Sequence, residues 1–336
     1  MSPAPIAVTM GEPAGIGGEI ALKAWAALHN NGPAFFIIDN IGRLAALAKT
    51  LRLDTPVQAI SAPGEAAGVF AAALPVLDNP QALHLQVTPG KPSPATAQAV
   101  IASIDMAVKL VTEKQAAALV TNPIQKATLQ AGGFAFPGHT EYLGHLAGGL
   151  NSVMMLTVEQ PDPPLRVVPV TVHTPLAKVA ATLTTADIVH CALVTARALE
   201  TDFGIAKPRL AVTGLNPHAG EDGKIGDEET RLIAPAVAQL RAAGIEVHGP
   251  APADTLFHAA ARKTYDAVVC MYHDQALIPL KTLDFWRGVN VTLGLPFVRT
   301  SPDHGTALDI AGRGLADPAS LIAALELAAR IAARRG

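Results

Sequence analysis

The stretch "PIAVTMGEPAGIGGEI", residues 5–20, decides how the chain is to be read. A short apolar run with β-branched residues gives way to glycines, and a helix-period segment follows over 16–29, so the stretch reads as a strand turning into a helix. The same grammar recurs. Strands are predicted at 5–10, 34–39, 117–122, 152–159, 166–173, 209–216, 266–273 and 288–294, and helices at 95–113, 184–202, 228–243 and 318–334. Alternation of this kind predicts an α/β fold with mainly parallel strands covered on both faces. At 336 residues the chain has room for two domains, and its 50% apolar but only 4% aromatic composition suits cores of Ala, Val, Leu and Ile.

Charge narrows the partner. Lys plus Arg number 25 against 28 Asp plus Glu, a balance that excludes non-specific attraction to nucleic acid or to acidic membranes and favours a small molecule. Cys191 and Cys270 both fall in apolar segments and read as reduced core residues. The segment "MSPAPIAVTMGEP" lacks the pattern of a leader, and no stretch is expected to reach the length of a membrane span, so a cytoplasmic protein is expected. The segment 87–98, "VTPGKPSPATAQ", reads as the best linker.

The loop at 9–20 could hold a phosphate on backbone amides at a helix N-terminus. It fits neither standard fingerprint: G-x-G-x-x-G read from Gly15 would need glycine at Ile20, and a P-loop would need a lysine. A tight turn of small residues is an equal reading.

His173, His218 and His273 each stand at or just after a predicted strand end, in "VTVHTP", "LNPHAG" and "MYHDQ". Such ends line the ligand crevice of parallel α/β sheets. Taken singly, such a histidine is more often a hydrogen-bonded loop residue than a ligand, but three together suggest one ion. Imidazole ligation favours zinc or a neighbouring transition metal over magnesium. Lys281, Asn290 and Arg299 follow, and they suit a phosphate or carboxylate, with solvated surface charge as the alternative for Lys281 and Arg299. His139 and Thr140, in "FPGHTEYLG", add donors in a loop expected to precede a helix. The glycine-rich loop 303–318, "DHGTALDIAGRGLADP", could serve an adenine ribose or be a plain connector.

These segments, with "TNPIQKATL", "LNPHAGEDGKIGDEE", "GPAPADTLF" and "RGVNVTLGLPFVRTSPDHGTALDIAGRG", occur in one order along nearly the whole chain. In that arrangement the sequence resembles the 4-hydroxythreonine-4-phosphate dehydrogenase family, departing from its usual Asp and Pro at Glu12 and Gly18. The resemblance implies two α/β/α lobes around a cleft, similar to isocitrate and isopropylmalate dehydrogenases. One lobe, residues 1–128 plus 300–336, would be on the cofactor side, and the other, 129–299, would carry the metal ligands and a homodimer interface. It implies a divalent metal on His173, His218 and His273, zinc favoured with magnesium or cobalt as alternatives, and ligands from both chains at a shared active site. Substrate would be held by His139, Thr140, Lys281, Asn290 and Arg299.

The distant analogy puts NAD or NADP on Gly305, Thr306, Asp309 and Gly312, with Asp309 at the ribose favouring NAD. The implied reaction, in pyridoxine and pyridoxal phosphate biosynthesis, oxidises 4-phosphooxy-L-threonine to a β-keto acid, which decarboxylates to 3-amino-2-oxopropyl phosphate. Lys281, Asp254 and Asp274 are candidate general bases, though Asp254 could instead cap a helix. Rival readings are a sibling dehydrogenase acting on a phosphorylated sugar acid or a cis-dihydrodiol, a zinc hydrolase, and a non-catalytic metabolite sensor.

Overall fold

A computed structural model of the protein describes residues 4–83 and 85–336; residues 1–3, the start of the segment read as lacking a leader, lie outside the described residues. The chain forms two compact units. One comprises the residues up to Ser152 together with Leu295–Arg334, and the other Val153–Gly294.

The first unit opens with β1 (Ile6–Thr9), α1 (Gly17–Leu28), β2 (Phe35–Asp39) and α2 (Ile41–Leu51). β3 (Val57–Ile60), α3 (Ala66–Val69), β4 (Leu74–Asp78), α4 (Ala97–Thr112) and β5 (Ala118–Val120) follow. Every residue of β1, β2 and β5 is buried, as expected of strands covered on both faces. α2 begins where the Asn40 side chain accepts from Arg43 N at 2.8 Å, a side-chain N-cap. α5 (Lys126–Ala131) and α6 (His139–Leu146) come next.

Beyond them β6 (Val153–Val158), β7 (Leu165–Thr171), α7 (Leu176–Thr182), α8 (Thr185–Thr201) and β8 (Arg209–Thr213) start the second unit. It continues through α9 (Ala234–Ala242), β9 (Glu246–Ala251), β10 (Ala267–Tyr272), α10 (His273–Leu283) and β11 (Val289–Leu293). β12 (Arg299–Pro302) belongs to the first unit and α11 (Ala319–Arg335) lies almost wholly in it.

Strand order in the first unit is β3-β4-β2-β1-β5-β12, parallel throughout. In the second it is β11-β6-β7-β10-β8-β9, with β11, β6 and β7 antiparallel in turn and the rest parallel. Both units are α/β.

Three readings from sequence change. Residues 129–152 and 295–299, assigned there to the second lobe, group with the first unit. Leu129, Phe134, Tyr142, Leu143, Leu295 and Phe297 all pack into the core cluster built on α4. No helix is predicted directly after the strand at 266–273, yet α10 follows it and runs eleven residues despite an internal Pro279. Finally, the helical stretch Pro94–Thr112 is 19 residues long and apolar enough to cross a membrane, against the expectation that no stretch would be. Half of that window is buried inside the protein, where Ser103 donates to Ile38 O at 2.8 Å and accepts from Met10 N at 3.0 Å, so it is a core helix of the first unit. Cys191 and Cys270 are buried free thiols, as read, and burial pushes the Cys191 thiol up to about 12.

Candidate active site

In the first unit the candidate substrate ligands include Arg299, at the start of β12 beside the end of β5. Arg299 opens β12, pairs in register with Leu119 of β5, and is only 3% exposed, which removes the surface-charge reading. Its Nη2 donates to Thr121 Oγ1 at 2.6 Å, one residue past the end of β5. Burial pushes the guanidinium down to about 10, which still leaves it charged at neutral pH. His139 is the first residue of α6 rather than a residue of the preceding loop. Burial lowers its pKa well below the usual imidazole value, and the nearby Arg299 and Lys126 charges lower it further, so the ring is neutral at physiological pH. Its Nε2 is buried with no hydrogen-bond partner. Such an atom is open to a bound molecule or to water. Thr140 is the next residue of α6, half-buried.

What holds α6 there is an aromatic cluster and one hydrogen bond. Tyr142 packs edge-on to Phe134 with centroids 4.9 Å apart, and its hydroxyl donates to Asp105 Oδ1 of α4 at 2.5 Å. The same unit carries the candidate cofactor loop between β12 and α11. Thr306 O accepts from Ile16 N at 3.1 Å, and Lys23 Nζ donates to Gly314 O and Ala316 O at 2.9 and 2.7 Å. A Cβ at Gly15 would lie 2.8 Å from Thr306 O, and one at Gly312, where φ is +72°, would lie 2.8 Å from Pro89 Cβ. Gly305 and Asp309 are exposed.

The amides of Ala14, Gly15 and Ile16 are already used by Glu12 Oε1, Glu12 O and Thr306 O. Gly15 packs closely against the C-terminal loop while Gly11 and Gly17 pack against Asn122, and those three amides are not available to a phosphate.

The second unit holds the three histidines. β7, β10 and β8 are neighbouring parallel strands, and His173, His218 and His273 follow their C-terminal ends. Among the described residues, however, no three His, Cys, Asp or Glu side chains converge to hold an ion, so the expected triad is not assembled within one chain. Local structure accounts for part of this. His273 opens α10 with its Nδ1 2.7 Å from Asp274 Oδ1, which gives Asp274 a partner other than substrate. His218 lies in a run, His218 to Asp222, whose φ values are all positive, from 43° to 78°.

Four of those five residues are not glycine, so the run is strained. Glu229 anchors the residues before it. Its Oε1 accepts from Leu215 N and Asn216 N, both at 2.7 Å, and its Oε2 from Asn216 Nδ2 at 3.0 Å. Gln275 ties the β8 and β10 ends together: Oε1 accepts from Thr213 Oγ1 and Met271 N, both at 2.7 Å, and Nε2 donates to Gly214 O at 2.8 Å. Asn290 on β11 has a buried Oδ1 with no partner. Lys281, in the last turn of α10, has its Nζ 5.1 Å from the centroid of the exposed Phe285 ring. Asp254 is exposed in a one-turn helix and caps nothing.

The sequence reading missed Lys126, Thr121, Glu229 and Gln275. All four stand in motifs it quoted, and Thr121 and Lys126 follow the end of β5 as the histidines follow theirs. Asking which polar residues follow every strand, not only which histidines do, would have found that pair.

Comparison with known proteins places the chain in a family. The family model described as pyridoxal phosphate biosynthetic protein PdxA matches residues 35–328. A 4-hydroxythreonine-4-phosphate dehydrogenase of Caulobacter vibrioides is 55% identical over 342 residues, spanning 100% of both chains. The crystal structure of a 4-hydroxythreonine-4-phosphate dehydrogenase from Klebsiella pneumoniae superposes with a TM-score of 0.88 at 41% identity, covering 98% of each chain. A terephthalate 1,2-cis-dihydrodiol dehydrogenase from Burkholderia xenovorans is less similar, with a TM-score of 0.64 at 28% identity and 97% of each chain covered. With relatives aligned end to end and a family model spanning most of its length, the chain belongs to the PdxA family of pyridoxal phosphate biosynthetic proteins.

Proposed function

We propose that the protein is a 4-hydroxythreonine-4-phosphate dehydrogenase, oxidising 4-phosphooxy-L-threonine with NAD or NADP to a β-keto acid that loses CO2 to give 3-amino-2-oxopropyl phosphate. The observation that carries this is the 55% identity to a relative of that name over the full length of both chains. The site supports it. Arg299 supplies a buried cation for an anionic substrate, and neutral His139 offers an unpartnered ring nitrogen beside it. Asn290 offers a buried amide oxygen suited to a hydroxyl or ammonium group of the substrate. The loop carrying Gly305, Thr306, Asp309 and Gly312 is held against α1 by Ile16 and Lys23 and is assigned to the dinucleotide.

Among the described residues the histidines of one chain do not converge on an ion site. We assign His173, His218 and His273 to a divalent ion, with zinc favoured by their imidazoles, that needs ligands from two protomers. The exposed apolar side chains Ile278, Phe285 and Trp286, on and just after α10, suit a second copy as the covering partner. Lys281 stays a candidate base on the same element, and a cytoplasmic site of action fits a pathway enzyme.

The test is nicotinamide absorbance with purified protein, 4-phosphooxy-L-threonine and NAD or NADP, before and after chelation. Reduced cofactor that chelation stops and zinc or another divalent ion restores is the expected result. No reduced cofactor from folded protein under any of these conditions would overturn the assignment. The dihydrodiol relative defines the second reading; turnover of an aromatic cis-dihydrodiol in place of the phosphorylated substrate would favour it.

A further inference from the structure

Resting on the reading of a phosphorylated substrate, we infer that Lys126 is a further phosphate-binding residue, acting with Arg299 and His139 at the N-terminus of α6. Four observations within the first unit bring it there. Lys126 opens α5, five residues past Thr121, to which Arg299 is hydrogen-bonded. Its charge is close enough to His139 to depress that ring's proton affinity, as does the charge of Arg299. A Cβ built at Gly138 would lie 3.3 Å from Lys126 Cε and 3.5 Å from Nζ, so the ammonium sits against the residue that precedes α6. And α6 starts there without a side-chain cap, so the first-turn amides of His139 and Thr140 point the same way as the positive end of the helix.

A guanidinium, an ammonium and a helix N-terminus repel one another when brought together. A dianion between them turns each repulsion into an attraction and gives the His139 ring nitrogen a partner. Glu141 lies at the same place, its Oε2 3.3 Å from the same Gly138 position, but it is exposed, where solvent screens its charge. A phosphate dianion suits a guanidinium, an ammonium and a helix end better than the substrate's single-charged carboxylate does. Lys126 is therefore a specificity residue: it distinguishes a phosphorylated substrate from the same skeleton without phosphate.

The experiment compares the wild type with Lys126→Met, Lys126→Arg, Arg299→Met and, as a charge control on an exposed α4 position, Lys109→Met. Two quantities are read for each full-length protein: the KM for 4-phosphooxy-L-threonine, and the dissociation constant of inorganic phosphate from its thermal stabilisation without substrate. Lys126→Met should raise both roughly tenfold, the size of one charge-assisted hydrogen bond, with KM for the dinucleotide unchanged and Lys126→Arg recovering most of the loss. Phosphate affinity lost in Arg299→Met but kept in Lys126→Met would overturn the role of Lys126 and leave the substrate reading intact. Phosphate binding that depends on Lys126 in a protein that does not turn over 4-phosphooxy-L-threonine would keep the anion site and discard the substrate.

Discussion

The two units prepare their halves of the chemistry differently. In the first, the groups proposed to bind the anion are set by the chain itself: Arg299 is buried and fixed by Thr121, and His139 is held by a helix that Tyr142 ties to α4. In the second, three neighbouring strand ends present histidines that no convergence within one chain completes. Preorganisation explains the contrast. A cation can be buried and oriented by its own neighbours, whereas an ion site needs several donors at one point, and a symmetric partner can supply what a single chain leaves open. The first half should therefore survive as a binding site in a monomer, and the second should not.

The sharpest way to break that contrast is Trp286→Asp combined with Phe285→Asp, two exposed aromatic side chains of the second unit. If a second copy covers them, the dimer should weaken by at least about 2 kcal/mol per aromatic anchor, and sedimentation should find monomer at assay concentration. Turnover should then fall with dissociation while inorganic phosphate still stabilises the protein. A monomeric variant with full turnover would end the shared-site reading.

Arg299→Met should be next in size. Replacing a buried guanidinium that serves the substrate should cost about 2–3 kcal/mol of substrate binding, read as KM, while binding of zinc measured without substrate stays as in the wild type. Parallel loss of metal would mean that the two halves are not separable.

In the second unit, Glu229→Gln replaces an acceptor-only carboxylate with an amide whose NH2 must face one of three N–H donors. The expected loss is about 1–3 kcal/mol of stability by denaturant titration, because a buried donor is left without an acceptor. Zinc affinity should fall as well if the strained turn bearing His218 is held for that purpose. A loss of stability alone would make Glu229 purely architectural.

The fold was legible where strands are apolar along their whole length. β1, β2 and β10 announce themselves because both faces are covered, while β3, whose middle residues Gln58 and Ala59 are exposed, and β12, which reads Arg-Thr-Ser-Pro, carry no such run. β12 is buried nonetheless, with Arg299 Nη2 donating to Thr121 Oγ1 and Thr300 Oγ1 to Ala324 O. The candidate site was legible only as residue types at strand ends. Its grouping was not. That α6 belongs to the first unit follows from Leu143 and Tyr142 filling the α4 core, a tertiary fact that local periodicity does not encode, and it is what separates His139 from the strand-end histidines.

The smallest effect tests whether His139 is neutral, as its surroundings require. Burial, Arg299 and Lys126 all depress its folded pKa below the unfolded value near 6.5. Above that value the ring is neutral in both states and contributes nothing to the pH slope. As pH falls from about 6.5 toward the folded pKa, the unfolded chain takes up a proton that the folded chain refuses, so stability falls by at most about 1.4 kcal/mol per pH unit. His139→Gln should lack that share of the slope between pH 7.5 and 5. Every other titrating group is common to the two proteins, so the difference between their slopes reports the imidazole. A phosphate ion bound beside the ring should raise its pKa and flatten the wild-type slope, whereas equal slopes for wild type and variant, with and without phosphate, would mean that the ring titrates as it would in water and that this half of the site is not preset.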